Sequence, residues 1–516
     1  MLTVSRASEE GRHRARLPES ALLTRSPGVW MRRRGNKVLL IEPESASWIV
    51  LAEPYLGLWQ RLTRPMTWAE VRTIPSPLTA AQKEEFLVHL FGLDMIKING
   101  RAYFNPPELW KTPQRYPTYL CLHLTESCNF GCHYCMADSY PHKGKMPIET
   151  ARLIIDKILH ELPPTNLTID FHGGEPLLAF DEMVEVIRYA NMVNERDRLG
   201  KKLWFMLQTN GSLLTPDKVE VLKELKAIVG VSMDGPGAMH DRHRVFAGSE
   251  KGTFEVVLRN VRRAWEMGLK VGVLGVVHEP PDYLTAFRFF VHELGLRSFR
   301  LNYSSYIGRG PYKLQFPVDR PEEFGRWWLA MIDEALAWCR ENQTPLSISD
   351  VNNQINNICT KNRPFMCYRS PCGVGNSVLG FGIDGGIHAC EEMASLDMFR
   401  VANIHDEGLN LARMVEDNPV LKLLQSRTVD NIPKCSQCHL KRICYGGCTS
   451  KTMARFGEAM RESPMCGYYL VVFEELMWKI HENPDLVKWL GFPGTRYTPW
   501  PPVEGADELP QLRVLG

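Results

Sequence analysis

A chain of 516 residues exceeds one ordinary hydrophobic core, so we expect two or three domains. The net charge of only +2 lacks the basic excess of nucleic-acid-binding domains and predicts no nucleic-acid partner. The fourteen cysteines, without a secretory signal, indicate metal binding rather than disulfides, and no apolar run reaches the roughly 18 residues of a membrane helix, so we expect a cytoplasmic protein without a membrane partner.

The N-terminal region divides into a basic stretch and a small module. Residues 1–36 are rich in arginine and poor in large apolar residues, which predicts a disordered leader. Residues 37–104 combine a short strand, two helix-like segments and a hairpin signal at Asn99-Gly100. This order of elements, with the phrase from Leu56 to Trp68, resembles the PqqD-like module that binds precursor peptides. The resemblance implies strand addition at an open sheet edge, and a plain structural cap is the alternative.

Strands and helices alternate from residue 115 to about residue 345. Such alternation builds a parallel sheet whose site lies at the carboxyl ends of the strands. The fold class is therefore α/β, with an N-terminal α+β module of winged-helix character. The predicted strands are residues 119–124, 167–171, 203–208, 228–233, 271–277 and 299–303.

The loop after the first of these strands holds Cys128, Cys132 and Cys135 in a C-x3-C-x2-C spacing, with Tyr134 before the last cysteine. Three thiolates on one loop can bind three irons of a [4Fe–4S] cluster and leave the fourth iron open to a small molecule. A zinc knuckle is the alternative, although zinc sites usually complete their own tetrahedron. The loop resembles that of the radical S-adenosylmethionine (SAM) superfamily, which implies a partial (β/α)6 barrel with SAM at the open iron.

Polar groups follow three further strands. Gly173-Gly174-Glu175 could let backbone approach a ligand and pair a carboxylate with its ammonium group. The resemblance implies that this segment receives the amino group of SAM, and that Tyr134, Ser232 and Arg244 lie at the same cofactor. Turn capping is the alternative role for Ser232.

Eight more cysteines fall between residues 360 and 470, around glycines and turns. Eight thiolates suffice for two further [4Fe–4S] clusters, and by spacing alone a pair of zinc sites remains open. Together with the phrase Gly385-Gly386-Ile387-His388-Ala389-Cys390, the pattern resembles the SPASM domain and its auxiliary clusters. The resemblance implies a first auxiliary cluster on Cys367, Cys372, Cys390 and Cys448 and a second on Cys435, Cys438, Cys444 and Cys466.

The resemblance covers about residues 115–470, followed by a C-terminal helix and proline-rich tail over residues 471–516. It implies reductive cleavage of SAM to a 5′-deoxyadenosyl radical that abstracts hydrogen from the substrate, with Glu391 as a catalytic base. A supporting or surface role is the alternative for Glu391. We predict a peptide maturase that forms a thioether, C–C or C–O crosslink in a ribosomal precursor peptide, with flavodoxin or ferredoxin as electron donor. The alternatives are an anaerobic sulfatase-maturating enzyme and, in another class, an iron–sulfur electron carrier or binding scaffold.

Overall fold

The computed structural model describes residues 3–5, 14–104, 110, 115–310, 319–394, 399–497 and 499–500. Within these residues no helix has both the length and the apolar character that a membrane crossing needs.

The N-terminal module spans residues 17–104 and contains two antiparallel sheets of three strands each. Ahead of it, β1 (Thr3–Ser5) pairs with β2 (Arg14–Arg16). The sheets have the strand orders β7-β3-β8 and β4-β5-β6. The elements are β3 (Leu22–Arg25), β4 (Trp30–Arg34), β5 (Lys37–Glu42), β6 (Ser47–Ala52), β7 (Met66–Thr67) and β8 (Ile96–Ile98), with helices Tyr55–Gln60, Trp68–Arg72 and Ala80–Gly92.

The disordered leader expected over residues 1–36 is wrong for residues 17–36, which supply β3 and β4. Leu23 is fully buried in the core of the module. The arginines that suggested disorder find partners, since Arg32 forms an ion pair with Glu474 and Arg34 with Glu475. Sequence-distant carboxylates therefore stabilise a strand whose composition alone predicts no structure. Residues 1, 2 and 6–13 lie outside the described residues.

The hairpin signal at Asn99-Gly100 corresponds to a tight turn after β8. Both residues have positive φ, 51° and 74°. The Arg101 N–H donates to the carbonyl of Ile98 at 3.0 Å. Ile98 and Arg101 form only an isolated bridge, so the second arm is shorter than predicted.

The sheet β4-β5-β6 is shared between two hydrophobic cores, because successive side chains of a strand point to opposite faces. Val38 and Leu40 of β5 pack in the core of the module. Leu39 and Ile41 of the same strand pack in the main core of the molecule. The module is thus joined to the rest of the chain by a buried sheet face.

The predicted α/β barrel is confirmed, with its six strands paired in parallel and in chain order. These strands are β9 (Tyr119–Thr125), β10 (Asn166–Gly173), β11 (Lys202–Thr209), β12 (Ile228–Ser232), β13 (Val271–Val277) and β14 (Ser298–Tyr303). The connecting helices are Ile148–Glu161, Pro176–Ala179, Phe180–Arg196, Pro216–Glu224, Gly237–Asp241, Phe254–Glu266, Asp282–Arg288, Phe289–Glu293 and Pro321–Asn342.

The C-terminal region extends the barrel sheet, which the sequence did not indicate. β16 (Val378–Phe381) pairs in parallel with β9, so the sheet continues from β9 through β16 to β17 and β18. At the other end β15 (Ser347–Ile348) pairs with β14. The remaining elements are β17 (Gly386–His388), β18 (Arg400–Asn403) and helices Ser349–Cys359, Glu391–Met393, Leu411–Asp417, Pro419–Gln425, Pro433–Ser436, Lys441–Cys444, Thr449–Phe456, Cys466–Glu482 and Asp485–Leu490.

Candidate functional site

The three cysteines of the first motif lie on the loop that leaves the carboxyl end of β9. Two backbone N–H groups point at their sulfurs, from Phe130 to Cys128 at 3.4 Å and from Ser139 to Cys135 at 3.5 Å. Burial raises the pKa of Cys132 to about 12. Such thiols ionise only when a cationic centre compensates the buried charge. Three half-buried cysteines on one loop, two of them with N–H donors at their sulfurs, therefore fit an iron–sulfur cluster.

Gly173 and Gly174 pack directly against the base of this loop. A Cβ atom on Gly174 would lie 2.1 Å from the carbonyl oxygen of Ser127, and one on Gly173 would lie 2.3 Å from that of Thr125. The Gly174 N–H donates to the Thr125 carbonyl at 2.8 Å. The glycines are thus required for the close approach of the end of β10 to the cysteine loop.

Glu175 is buried, and both of its carboxylate oxygens are engaged within the protein. Oε1 accepts hydrogen bonds from the Thr209 hydroxyl at 2.6 Å and the Leu177 N–H at 3.0 Å. Oε2 accepts from the Asn210 N–H at 2.7 Å. The carboxylate joins the ends of β10 and β11, so its direct role in this structure is to position the two strand ends.

Arg244 and Tyr134 meet at the carboxylate of Asp234, a residue that the sequence motifs do not single out for the site. Arg244 Nε lies 3.0 Å from Asp234 Oδ1, and the Tyr134 hydroxyl donates to Asp234 Oδ2 at 2.6 Å. Although burial opposes ionisation, Arg244 holds the pKa of Asp234 below its usual value. Both ring nitrogens of His278, at the end of β13, are buried without a hydrogen-bond partner in the described residues. Ser232 lies nearby in the fold, where its hydroxyl accepts from Gln208 Nε2 at 2.9 Å.

Glu391 belongs to a chain of polar groups inside the barrel mouth. Its Oε1 lies 2.5 Å from His172 Nδ1, and His172 Nε2 lies 2.9 Å from Asp170 Oδ2. The Tyr119 hydroxyl donates to the same Asp170 oxygen. The Cys121 thiol lies 3.7 Å from Glu391 Oε2.

Two carboxylates therefore bracket one imidazole. Burial disfavours the charged ring, yet Glu391 and Asp170 outweigh that effect and hold the pKa of His172 well above its usual value. The sequence motifs do not single out His172 or Asp170. His172 could be found from its place directly before Gly173 at a strand end, whereas nothing in the sequence distinguishes Asp170 from other strand residues.

Four of the C-terminal cysteines surround one cavity of about 220 Å³. The cavity is lined mainly by apolar atoms, with Lys434, Lys441 and Glu462 among the other wall residues. A largely apolar cavity with four cysteines on its wall fits an iron–sulfur cluster. The four cysteines are Cys435, Cys438, Cys444 and Cys466.

The other four cysteines also lie close together. Burial raises the pKa of Cys390, and the nearby Glu392, Cys367 and Cys448 raise it further. Burial also raises the pKa of Cys448, and the nearby Cys372 raises it further. Cys448 donates to Glu392 Oε2 at 3.2 Å. The structure thus brings together the same two sets of four that the resemblance implies, with Cys367 the most exposed member of its set.

In the part of the chain that the structure describes, no three histidine, cysteine, aspartate or glutamate side chains converge on one point suited to a single metal ion.

Comparisons with known proteins give a consistent result. Residues 122–289 match the sequence model of the Radical SAM superfamily. The "Cysteine-type anaerobic sulfatase-maturating enzyme" of Clostridium novyi is 23% identical over 390 residues, which cover 69% of this chain and 94% of that enzyme.

Two solved structures share the fold. "Native anSMEcpe with bound AdoMet" has a TM-score of 0.59 and 21% identity, and the match covers 72% of this chain and 98% of that one. The Streptococcus suis protein SuiB bound to S-adenosylmethionine has a TM-score of 0.50 and 15% identity, with 86% of this chain and 98% of that one covered.

Proposed function

We propose that this chain, a radical SAM enzyme related to the anaerobic sulfatase-maturating enzymes, oxidises a residue of a ribosomally made peptide to a crosslink. The observation that carries the proposal is the loop of Cys128, Cys132 and Cys135 packed against Gly173-Gly174 at the mouth of a parallel barrel. A three-cysteine loop that leaves one iron open disfavours an electron carrier or scaffold, because an electron-transfer cluster is normally closed by a fourth cysteine.

The enzyme uses SAM and a [4Fe–4S] cluster, and when bound they supply a carbon-centred radical that abstracts hydrogen from an unactivated carbon. The three loop cysteines would hold the cluster. Gly173, Gly174 and Glu175 would shape the strand ends that receive the methionine part of SAM. Arg244, held in place by Asp234, would present a cation to the SAM carboxylate, with Tyr134 and Ser232 beside it.

We assign the eight C-terminal cysteines to two auxiliary [4Fe–4S] clusters. The second set is supported by the cavity that its members line, which are Cys435, Cys438, Cys444 and Cys466. The first set is supported by the effects that its members have on each other's pKa values, as between Cys390, Cys367 and Cys448 and between Cys448 and Cys372. An oxidation needs an electron acceptor after hydrogen abstraction, and clusters near the barrel mouth can serve as one. Flavodoxin or ferredoxin would supply the initial electron.

Glu391 is our candidate for the base that takes a proton from the substrate residue. It follows Cys390 directly, and the ion pair with His172 fixes its carboxylate toward the barrel interior. Glu391→Gln should stop product formation while SAM cleavage continues.

The peptide partner is supported by the relatives. The anSMEcpe enzyme has also been solved with a peptide called Cp18Cys, at a TM-score of 0.58 to this chain. We assign peptide binding to the N-terminal module, whose antiparallel sheets offer strand edges for a peptide backbone.

A second candidate function is maturation of a sulfatase by oxidation of a cysteine. It is favoured by the Clostridium novyi enzyme, 94% of which aligns with this chain. The N-terminal module favours the peptide maturase, because 94% of that enzyme aligns with only 69% of this chain, so this chain has a further segment that the match does not include.

The test is anaerobic incubation of the reconstituted enzyme with SAM, a reductant and the short peptide encoded beside its gene. We expect 5′-deoxyadenosine and a peptide lighter by a pair of hydrogen atoms, neither of which Cys128→Ala should produce. Deoxyadenosine with an unchanged peptide, followed by conversion of a cysteine peptide from a sulfatase, would favour the second candidate. Failure of the reduced enzyme to cleave SAM would instead favour an iron–sulfur electron carrier or binding scaffold.

A further inference from the structure

The N-terminal module lies against the loop that carries Cys438 and Cys444 and that lines the cavity of the proposed second auxiliary cluster. The ring of Trp30, on β4, stacks on the ring of His439 with centroids 3.9 Å apart and planes only 3° apart. His439 stands between Cys438 and Leu440, which both line the cavity. Trp30 of the module therefore contacts the residue next to Cys438, a proposed cluster ligand.

Charged groups strengthen the same contact. Arg32 of β4 pairs with Glu474, and Glu474 Oε1 lies 2.9 Å from His439 Nε2. Glu474 is only 5% exposed, and although burial raises its pKa, the hydrogen bonds from His439 and Arg32 outweigh burial and lower it. His439 is thus held from its face by Trp30 and from its edge by Glu474.

A second contact from the module reaches the far end of the loop. Glu44, in the turn between β5 and β6, forms an ion pair with Lys441 and lies 3.4 Å from Arg442. Lys441 is buried and lines the cavity.

The loop needs such support. Its helix Lys441–Cys444 has only four residues, far fewer than a helix needs to persist by its own hydrogen bonds. Tyr445 then turns the chain with φ of 60°. Cys438 and Cys444 therefore keep their positions through packing with neighbours, and β4 together with the turn between β5 and β6 supplies part of that packing.

We propose that the N-terminal module is a structural part of the second auxiliary site, with Trp30 as a positioning residue that acts on Cys438 through His439. The inference rests on the proposed function, because it takes Cys435, Cys438, Cys444 and Cys466 as cluster ligands. Its consequence is that the segment of the enzyme proposed to receive the peptide also supports the loop that lines a redox site.

The test measures iron release rather than turnover. Fully reconstituted enzyme should hold about twelve irons, four for each cluster. An Fe(II) chelator is added anaerobically to wild type, Trp30→Ala, Trp30→Phe and Met31→Ala. Met31 is the matched control, since it neighbours Trp30 on β4 but is 49% exposed. Electron paramagnetic resonance with SAM follows the cluster on Cys128, Cys132 and Cys135 in the same samples.

We expect Trp30→Ala to release about a third of its iron roughly tenfold faster than wild type, as the loss of a stacked ring pair would allow. The SAM-dependent spectrum should be unchanged in all variants. Met31→Ala should release iron at the wild-type rate, and Trp30→Phe should release it only slightly faster.

Equal release from Trp30→Ala and wild type would overturn the inference and leave the proposed function intact. Uniform loss of all iron with a lower melting temperature would also overturn it, because Trp30 would then act on the whole fold. Wild-type enzyme that fails to cleave SAM would instead contradict the proposed function.

Discussion

The carboxylates around the barrel interior are engaged by donors of the protein itself, and three of them, Glu175, Asp234 and Asp170, are buried. Glu175 accepts three hydrogen bonds, and Asp234 is held between Arg244 and Tyr134. Glu391 and Asp170 share His172. These groups fix the strand ends that we propose receive SAM, so their loss should affect stability as well as chemistry.

For Glu175→Gln we expect the free energy of unfolding to fall by about 1–3 kcal/mol, because the new amide would turn an N–H group toward backbone N–H donors. Urea unfolding measures the change. Glu185→Gln is the control, since Glu185 forms only a surface ion pair with Arg152 and its side chain is 44% exposed. Equal effects of the two substitutions would contradict the positioning role of Glu175.

His172 should make stability depend on pH. Its folded-state pKa is raised, so the folded chain retains a proton that the unfolded chain releases above its ordinary pKa of about 6.5. The stabilisation is complete below that pH and is lost as pH rises through the raised pKa. We therefore expect the difference in unfolding free energy between wild type and His172→Gln to be largest near pH 6 and to shrink in alkaline solution. A difference independent of pH would show that the ring contributes packing alone, and exposed His160→Gln serves as the control.

At the scale of elements, helix Ala80–Gly92 illustrates how local sequence fixes structure. Thr79 and Gln82 form a capping box, in which the Thr79 hydroxyl accepts from the Gln82 N–H at 3.2 Å and the Gln82 side chain accepts from the Thr79 N–H at 2.9 Å. This pairing satisfies two donors that the helix start would otherwise leave free. The helix then presents Phe86 and Leu90 to the core of the module.

Thr79→Ala should lower the unfolding free energy by about 1 kcal/mol through loss of this cap. Thr285→Ala is the matched control, because Thr285 is exposed within a helix and caps nothing, so its change should stay within about 0.5 kcal/mol. Thermal unfolding of the two variants compares them. A larger loss for Thr285→Ala would reject the capping argument.

At the scale of the whole molecule, the N-terminal module and the barrel behave as one packed body. Leu39 and Ile41 belong to the main core although their strand also builds the module. The Trp48 indole N–H donates to the carbonyl of Ile358 at 2.9 Å. Removal of the module would uncover this apolar face.

We therefore expect a chain shortened to residues 105–516 to aggregate or unfold at a lower temperature, whereas a chain lacking only residues 1–13 should match the full chain. Size-exclusion chromatography and thermal unfolding provide the comparison. A monomeric shortened chain with unchanged melting temperature would mean that the module is an independent domain.

The sequence by itself determined the strand order of the barrel and which cysteines share a loop, because both depend on local pattern. Apolar runs of strand length alternate with helical ones, and Cys128, Cys132 and Cys135 sit on one short loop. The tertiary structure alone decided the rest. It brought Asp234 to Arg244, Glu391 to His172, and Arg32 to Glu474 across more than 400 residues. Such pairs leave no periodic trace in the sequence, since buried charges choose their partners only when the fold places them side by side.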